Sequence, residues 1–182
     1  LLSYLKKHQL ITYNNNKILD INQLTKIGDI ISIDLSFEEI SDNIVPTKMN
    51  LNILYEDENI LIVNKPSGIP IHPSIEHYTD SLSNGIKYYF TSIGLKKKIR
   101  PVIRLDKNTS GITIFAKNQY IQECLIQQMQ TKKFKKTYLA IVEGQLEKLE
   151  GIINAPIIRK ENSIIERCVD KSGQNKSEAK RS

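Results

Sequence analysis

The sequence predicts an α+β fold: a mixed, mostly antiparallel sheet with packed helices, preceded by a small α/β module. Short runs rich in Ile, Val, Leu and Tyr outnumber the stretches with helical spacing. Several of these runs are joined by turns too short for a parallel crossover, and the strands do not alternate with helices as a doubly wound sheet would require.

In chain order, Leu1-Leu2-Ser3-Tyr4-Leu5-Lys6-Lys7 has the apolar spacing of the end of an amphipathic helix. Leu10–Tyr13 is a short strand, Asn14-Asn15-Asn16 is a turn, and Asp29–Leu35 is a further strand after the turn at Gly28. These elements make a module over residues 1–36. Residues 37–50 are acidic and polar around Pro46 and read as a linker. From residue 51 to 182 the pattern is that of one larger domain. Asn52–Tyr55 and Ile60–Val63 are strands, the second running into the rigid turn Lys65-Pro66-Ser67-Gly68. Asp80–Phe90 is a helix capped by Asp80, with Leu82, Ile86 and Tyr89 on one face despite Gly85. Lys96–Pro101 is a basic loop and Gly111–Ala116 a strand. Asn118 caps a second helix, in which Ile121, Leu125, Gln128 and Met129 form a stripe. Lys136–Val142, Gly151–Ile153 and Ser163–Arg167 are the remaining expected strands, and the tail from Lys171 is polar, basic and without periodicity.

A chain of 182 residues that is 40% hydrophobic can bury a core. No run approaches the roughly eighteen apolar residues of a membrane span, and residues 1–20 lack the features of a signal peptide, so the expectation is a cytoplasmic protein with no membrane partner. Cys124 and Cys168 form no C-x-x-C pair, and His8, His72 and His77 have no metal-ligand spacing with them. No metal is expected, and His72 before Pro73 reads as part of a rigid loop.

The net charge of +6 is unevenly spread. Residues 1–45 hold 4 basic and 6 acidic residues, whereas Lys87–Lys136 holds 12 basic residues and two acids, Asp106 and Glu123. Such a block around one isolated carboxylate points to a polyanion partner, because Lys and Arg displace the counterions of phosphates.

That carboxylate lies in Arg104-Leu105-Asp106-Lys107-Asn108-Thr109-Ser110-Gly111. The plain reading is an Asp-started turn whose Thr and Ser bond local backbone. The chemical reading is a nucleophile or base kept ionised by flanking Arg104 and Lys107 and oriented by the hydroxyls of Thr109 and Ser110.

Ile103–Gly111 closely resembles the signature H/N-R-L-D-x-x-T-S-G of the pseudouridine synthases that modify the large ribosomal subunit and some transfer RNAs. Two flanking stretches strengthen the resemblance. Ile62-Val63-Asn64-Lys65-Pro66-Ser67-Gly68-Ile69-Pro70-Ile71-His72-Pro73 is similar to the family's V-N-K-P-x-G-x-x-x-H-P, and Lys136–Gly144 to its K-x-Y-L-A-x-V-x-G. Residues 1–36 resemble the small RNA-binding domain named after a ribosomal protein of the small subunit.

The resemblance implies a cofactor-free isomerase acting on ribosomal or transfer RNA as a monomer. Asp106 would attack the uridine, Arg104 would enter the RNA helix where the uridine leaves it, and Tyr138 would pack on the flipped base and assist proton transfer. Lys65 and Pro66, with Thr109, Ser110 and Gly111, would be scaffold near the site. Lys107, Lys132, Lys133, Lys135 and Lys136 are the expected phosphate contacts. Ile103 stands where the family usually has a polar residue, and is expected to pack. The family's sheet has a second half, with an R-T-H-Q-I-R-like segment that has no counterpart before Ser182, so residues 51–182 are expected to be the N-terminal part of a catalytic domain and the chain to be truncated at both ends. Two other readings stand beside this one. One is an RNA-binding fragment without catalysis; the other is an aspartyl-phosphate enzyme, from the likeness of Asp106-Lys107-Asn108-Thr109-Ser110 to D-K-T-G-T, against which stands the lack of any other Asp between Asp106 and Asp170.

Overall fold

Leu5 is the buried residue of the short helix that opens the chain, Leu2–Lys7 (α1), in a computed structural model of the protein. The structure describes all residues except 1, 18–19, 21, 23, 40–42, 132, 147, 154, 161–162, 164–165, 170–179 and 182, and gives backbone alone for 180–181. Ile11–Tyr13 (β1), Asn16–Lys17 (β2) and Ile31–Ile33 (β3) form an antiparallel sheet in the order β2-β1-β3. The two-residue turn between β1 and β2 requires left-handed backbone at both positions, which Asn14 (φ 47°) and Asn15 (φ 65°) supply. Asp29 closes this module by accepting hydrogen bonds from the Tyr13 hydroxyl and from Asn14 Nδ2.

The segment expected as a linker is bonded to the larger domain at several of its described residues. Lys97 Nζ donates to the carbonyls of Leu35 (2.9 Å) and Phe37 (2.6 Å). Arg100 holds Glu39 through both guanidinium nitrogens, at 2.7 and 2.6 Å. Further on, Asn84 Nδ2 donates to Val45 O at 2.8 Å, and Thr47 N donates to Asn84 O at 3.1 Å. By contacts the chain divides into Leu1–Lys136 and Thr137–Ser182.

The main sheet of the first unit comprises Ile53–Glu56 (β4), Ile60–Lys65 (β5), Arg100–Pro101 (β6) and Gly111–Ala116 (β7), all antiparallel in the order β4-β5-β7-β6. Alternation decides which side is core. Leu61, Val63 and Lys65 of β5 and Thr113 and Phe115 of β7 are buried, while Asn64 and Ile112 are exposed. Against the buried side packs the helix Leu82–Ser92 (α2), whose Leu82, Ile86 and Phe90 recur at i, i+4, i+8 and join Leu61, Val63, Ile71, Ile99 and Phe115 in one cluster. A second helix, Gln119–Gln130 (α3), follows β7; Asn118 caps it as expected, accepting from Ile121 N at 2.9 Å. The fold is therefore α+β.

Several local expectations change. Ser81, not Asp80, caps α2: Ser81 and Asn84 close a capping box, and Asp80 turns its carboxylate to His77. The buried stripe of α2 ends in Phe90. Tyr89 sits at its edge, donating its hydroxyl to Glu56 at 2.5 Å. Gly85 has a packing reason, because a Cβ there would lie 2.9 Å from both Cβ and Sδ of Met49, where the chain crosses the helix.

In the second unit, Pro156–Arg159 (β8), Arg167–Val169 (β9) and Lys180–Arg181 (β10) form an antiparallel sheet in the order β10-β8-β9. Neither Lys136–Val142 nor the described residues of Gly151–Ile153 form strands; Leu139 and Ile141 are fully exposed, and no neighbouring strand among the described residues satisfies their backbone. Of Ser163–Arg167, residues 164–165 lie outside the described residues, and the strand there begins at Arg167. Lys180–Arg181, in the tail that shows no periodicity, supply β10.

Candidate active site

Two loops meet at one end of β5 and β7. Lys65 and Gly111 are paired across the sheet, so the chain leaves β5 and enters β7 at the same rung. Lys65 is fully buried and its ammonium spends all three hydrogens on carbonyls: Pro66 O (2.9 Å), Ile69 O (2.7 Å) and Lys107 O (2.9 Å). Burial pushes its pKa below the lysine range, against the opposing pull of the Asp106 charge. Two further bonds join the same loops, from Gly68 N to Lys107 O (2.9 Å) and from Ser67 Oγ to Asn108 O (2.8 Å). Gly68 has φ 87°, the left-handed backbone that lets its N–H turn toward the other loop. The Asp106 loop itself closes by Thr109 N donating to Asp106 O at 3.1 Å. Among the described residues neither the Thr109 nor the Ser110 hydroxyl bonds the Asp106 carboxylate; the loop is held through its backbone instead.

Asp106 lies in a cavity of about 580 Å³ lined by Ile71, His72, Val102, Ile103, Arg104, Leu105, Lys107, Met129 and Lys136. One carboxylate thus shares an open hollow with three cations, one histidine and five apolar side chains, and Asp106 is itself exposed; a second hollow, against α1, is lined by Leu2, Ser3, Lys6 and Lys7. Ile103 packs as part of the wall. Arg104 and Lys136 are exposed. Lys107 is partly committed: its Nζ donates to His77 Nε2 at 2.8 Å, which places the ring hydrogen on Nδ1, facing Asp80 Oδ2 at 2.9 Å. That bond from His77 is the main reason the Asp80 carboxyl sits below the usual carboxylate range.

His72 is a residue that reading the sequence assigned only to a rigid loop. Its place is set by α2, whose first N–H groups lack helical acceptors. Leu82 N donates to Pro70 O (2.9 Å), and Ser83 donates to Ile71 O through its N–H (3.0 Å) and its hydroxyl (2.6 Å). The His72 imidazole is pushed below its ordinary pKa by burial first and then by the Arg104 charge, so it is uncharged at neutral pH.

Of the other expected site residues, Lys133 and Lys135 are exposed after α3, and Lys132 lies outside the described residues. Tyr138 belongs to the second unit and is 60% exposed. The basic block proves heterogeneous. Lys97 and Lys117 are buried, Arg100 is paired with Glu39, and Lys117 bonds Glu56 at 2.7 Å. Among the described residues no group of three or more His, Cys, Asp or Glu is arranged to hold a metal ion, and no helix is long and apolar enough to cross a membrane.

Residues 59–182 match the family described as RNA pseudouridylate synthase. The chain is 41% identical over 167 residues to the uncharacterized RNA pseudouridine synthase YhcT of Bacillus subtilis, covering 92% of this chain and 55% of that one. It is 38% identical over 154 residues to ribosomal large subunit pseudouridine synthase D of Borreliella burgdorferi, covering 80% and 47%. Among solved structures, human RNA pseudouridylate synthase domain containing 1 superimposes with a TM-score of 0.54 at 23% identity, over 80% of this chain and 52% of that one, which shows a shared fold. The chain spans about half the length of the curated relatives it matches.

Proposed function

Since the chain belongs to the RNA pseudouridylate synthase family, we propose that the full-length protein converts uridine in RNA to pseudouridine, with Asp106 as the nucleophile. The observation that carries this reading is the hollow that Asp106 shares with Arg104, Lys107 and Lys136. The reaction breaks the N1–C1′ bond and makes a C5–C1′ bond, with the C5 hydrogen lost and a proton gained at N1. Formula and oxidation state are unchanged, so the balance calls for no cofactor. A carboxylate can hold the detached sugar or base, the bound RNA itself closes the open hollow against competing water, and the cations hold phosphates of the nucleotides around the target. Arg104 fills the place of the flipped uridine, offsetting an unstacking cost of about a few kcal/mol. Lys132, Lys133, Lys135 and Lys136 contact phosphate, and Tyr138 packs on the base and assists proton transfer. Ribosomal RNA of the large subunit is the favoured substrate over transfer RNA, in view of the name of the Borreliella relative. In this reading residues 1–36 are an RNA-binding module, 37–50 a linker and 51–182 the N-terminal part of the catalytic domain of a cytoplasmic monomer.

The test is tritium release from RNA labelled at uracil C5. Asp106→Asn in the full-length protein keeps the side chain's size and loses its charge; pseudouridine formation should be abolished and RNA affinity retained. Turnover at the wild-type rate would exclude Asp106 as the nucleophile.

A further inference from the structure

The reading above leaves His72 unused, although it lines the Asp106 cavity. Its hydrogen-bonding state is fixed by a residue behind it. Ser83 is fully buried, and its one hydroxyl hydrogen goes to Ile71 O at 2.6 Å. Toward His72 Nδ1, 3.4 Å away, the Ser83 oxygen can therefore only accept. That contact assigns the ring hydrogen to Nδ1, which leaves Nε2 with a lone pair and no partner among the described residues.

What an acceptor in this cavity can meet is limited by the substrate. Within an RNA chain the 3′ and 5′ oxygens of a uridine are esterified, so its hydrogen-bond donors are uracil N3–H and the ribose 2′-hydroxyl. The cavity's Arg104, Lys107 and Lys136 cannot accept. Asp106 must reach the glycosidic bond, beside which the 2′-hydroxyl lies; N3–H is on the far edge of the base. We propose that His72 Nε2 accepts the N3–H of the target uracil and serves as the pivot on which the detached base turns.

The symmetry of uracil gives the pivot its use. N1 and C5 are related by the axis through N3 and C6, so a half-turn about that axis puts C5 where N1 was. N3–H lies on the axis and keeps its place, while O2 and O4 exchange. A hydrogen bond at N3 persists through the turn; one at O2 or O4 has to be remade. His72 neither gains nor loses a proton, and the bond changes remain those given above. Ser83, whose hydroxyl bonds Ile71 O and faces His72 Nδ1, is a positioning residue.

The inference rests on the proposed activity, and the experiment separates the two. Full-length wild-type protein is first given C5-tritiated total RNA from cells lacking its gene, and the modified uridine is mapped; no tritium release would remove the activity and the pivot together. A synthetic RNA of the mapped sequence then carries uridine, 3-methyluridine or 2′-deoxyuridine at the target. With uridine, His72→Phe should lower kcat by about tenfold to a hundredfold, the loss of one buried hydrogen bond, with KM and RNA affinity nearly unchanged. His72→Gln, which can offer an oxygen near the Nε2 position, should recover most of the rate. N3-methylation should slow the wild type by a similar factor and His72→Phe hardly further. Wild-type rates in both variants, loss of RNA affinity in both, or indifference of His72→Phe to the 2′-deoxy change rather than to N3-methylation would each overturn the pivot while leaving the activity standing.

Discussion

Replacing Lys65 by Met tests how the Asp106 loop is held. Met matches the length and apolar stem of lysine, and it removes an ammonium whose desolvation opposes folding, yet it takes the donor from the carbonyls of Pro66, Ile69 and Lys107, of which only Lys107 O keeps another, Gly68 N. Losing partners for buried acceptors outweighs the desolvation relieved, and Lys65→Met should cost about 2 kcal/mol of stability, read as a lower urea midpoint. A midpoint at or above wild type would mean that the three bonds contribute nothing net. At this scale the sequence was most informative where residue type and chemistry coincide. Arg104, Asp106 and Lys136 share the cavity, and Lys65 bridges to the Asp106 loop. What it left hidden are side-chain partners set by tertiary contact. The Ser83–His72 and Asp80–His77–Lys107 chains join residues whose types alone suggest turns and surface.

Among the elements, α2 shows how packing overrides propensity. Glycine inside a helix usually disfavours it by about 1 kcal/mol relative to Ala. At Gly85 the added methyl would sit 2.9 Å from Met49 Cβ and Sδ and 3.2 Å from Leu51 Cδ2. Gly85→Ala should therefore lower stability by about 1–3 kcal/mol, the usual range for overpacking; a raised thermal midpoint would show that Met49 yields freely. The same crossing explains why residues 45–50 could be read only as polar linker. Part of their anchorage runs through backbone groups, Val45 O and Thr47 N, which leave no trace in residue type. Strands β5 and β7 were legible because alternation reports a half-buried sheet. Lys136–Val142 is likewise rich in β-branched and aromatic residues and forms no strand, since a strand needs a hydrogen-bonding neighbour as well as a pattern.

For the molecule as a whole, the basic residues divide by role. Lys97, Arg100 and Lys117 hold the chain together, and Arg104, Lys133, Lys135 and Lys136 face solvent. RNA affinity of the full-length protein should fall on the order of a thousandfold between low and moderate salt. Replacing Lys132, Lys133, Lys135 and Lys136 by Glu should weaken binding and flatten that slope, as filter binding across a salt series would read; an affinity indifferent to either change would exclude these residues as phosphate contacts. The pairing of Lys65 with Gly111 has a consequence in time as well as in space. The excursion over 66–110 holds α2, His72 and Asp106 and starts and ends on one rung, so its two loops cannot meet until β5 and β7 have zipped to that rung. Closing a loop of such length costs entropy that only the finished pairing offsets. The binding hollow should thus be among the last features to appear as the chain folds, and a nascent chain released from the ribosome before β7 emerges would carry the histidine but have no place to put it.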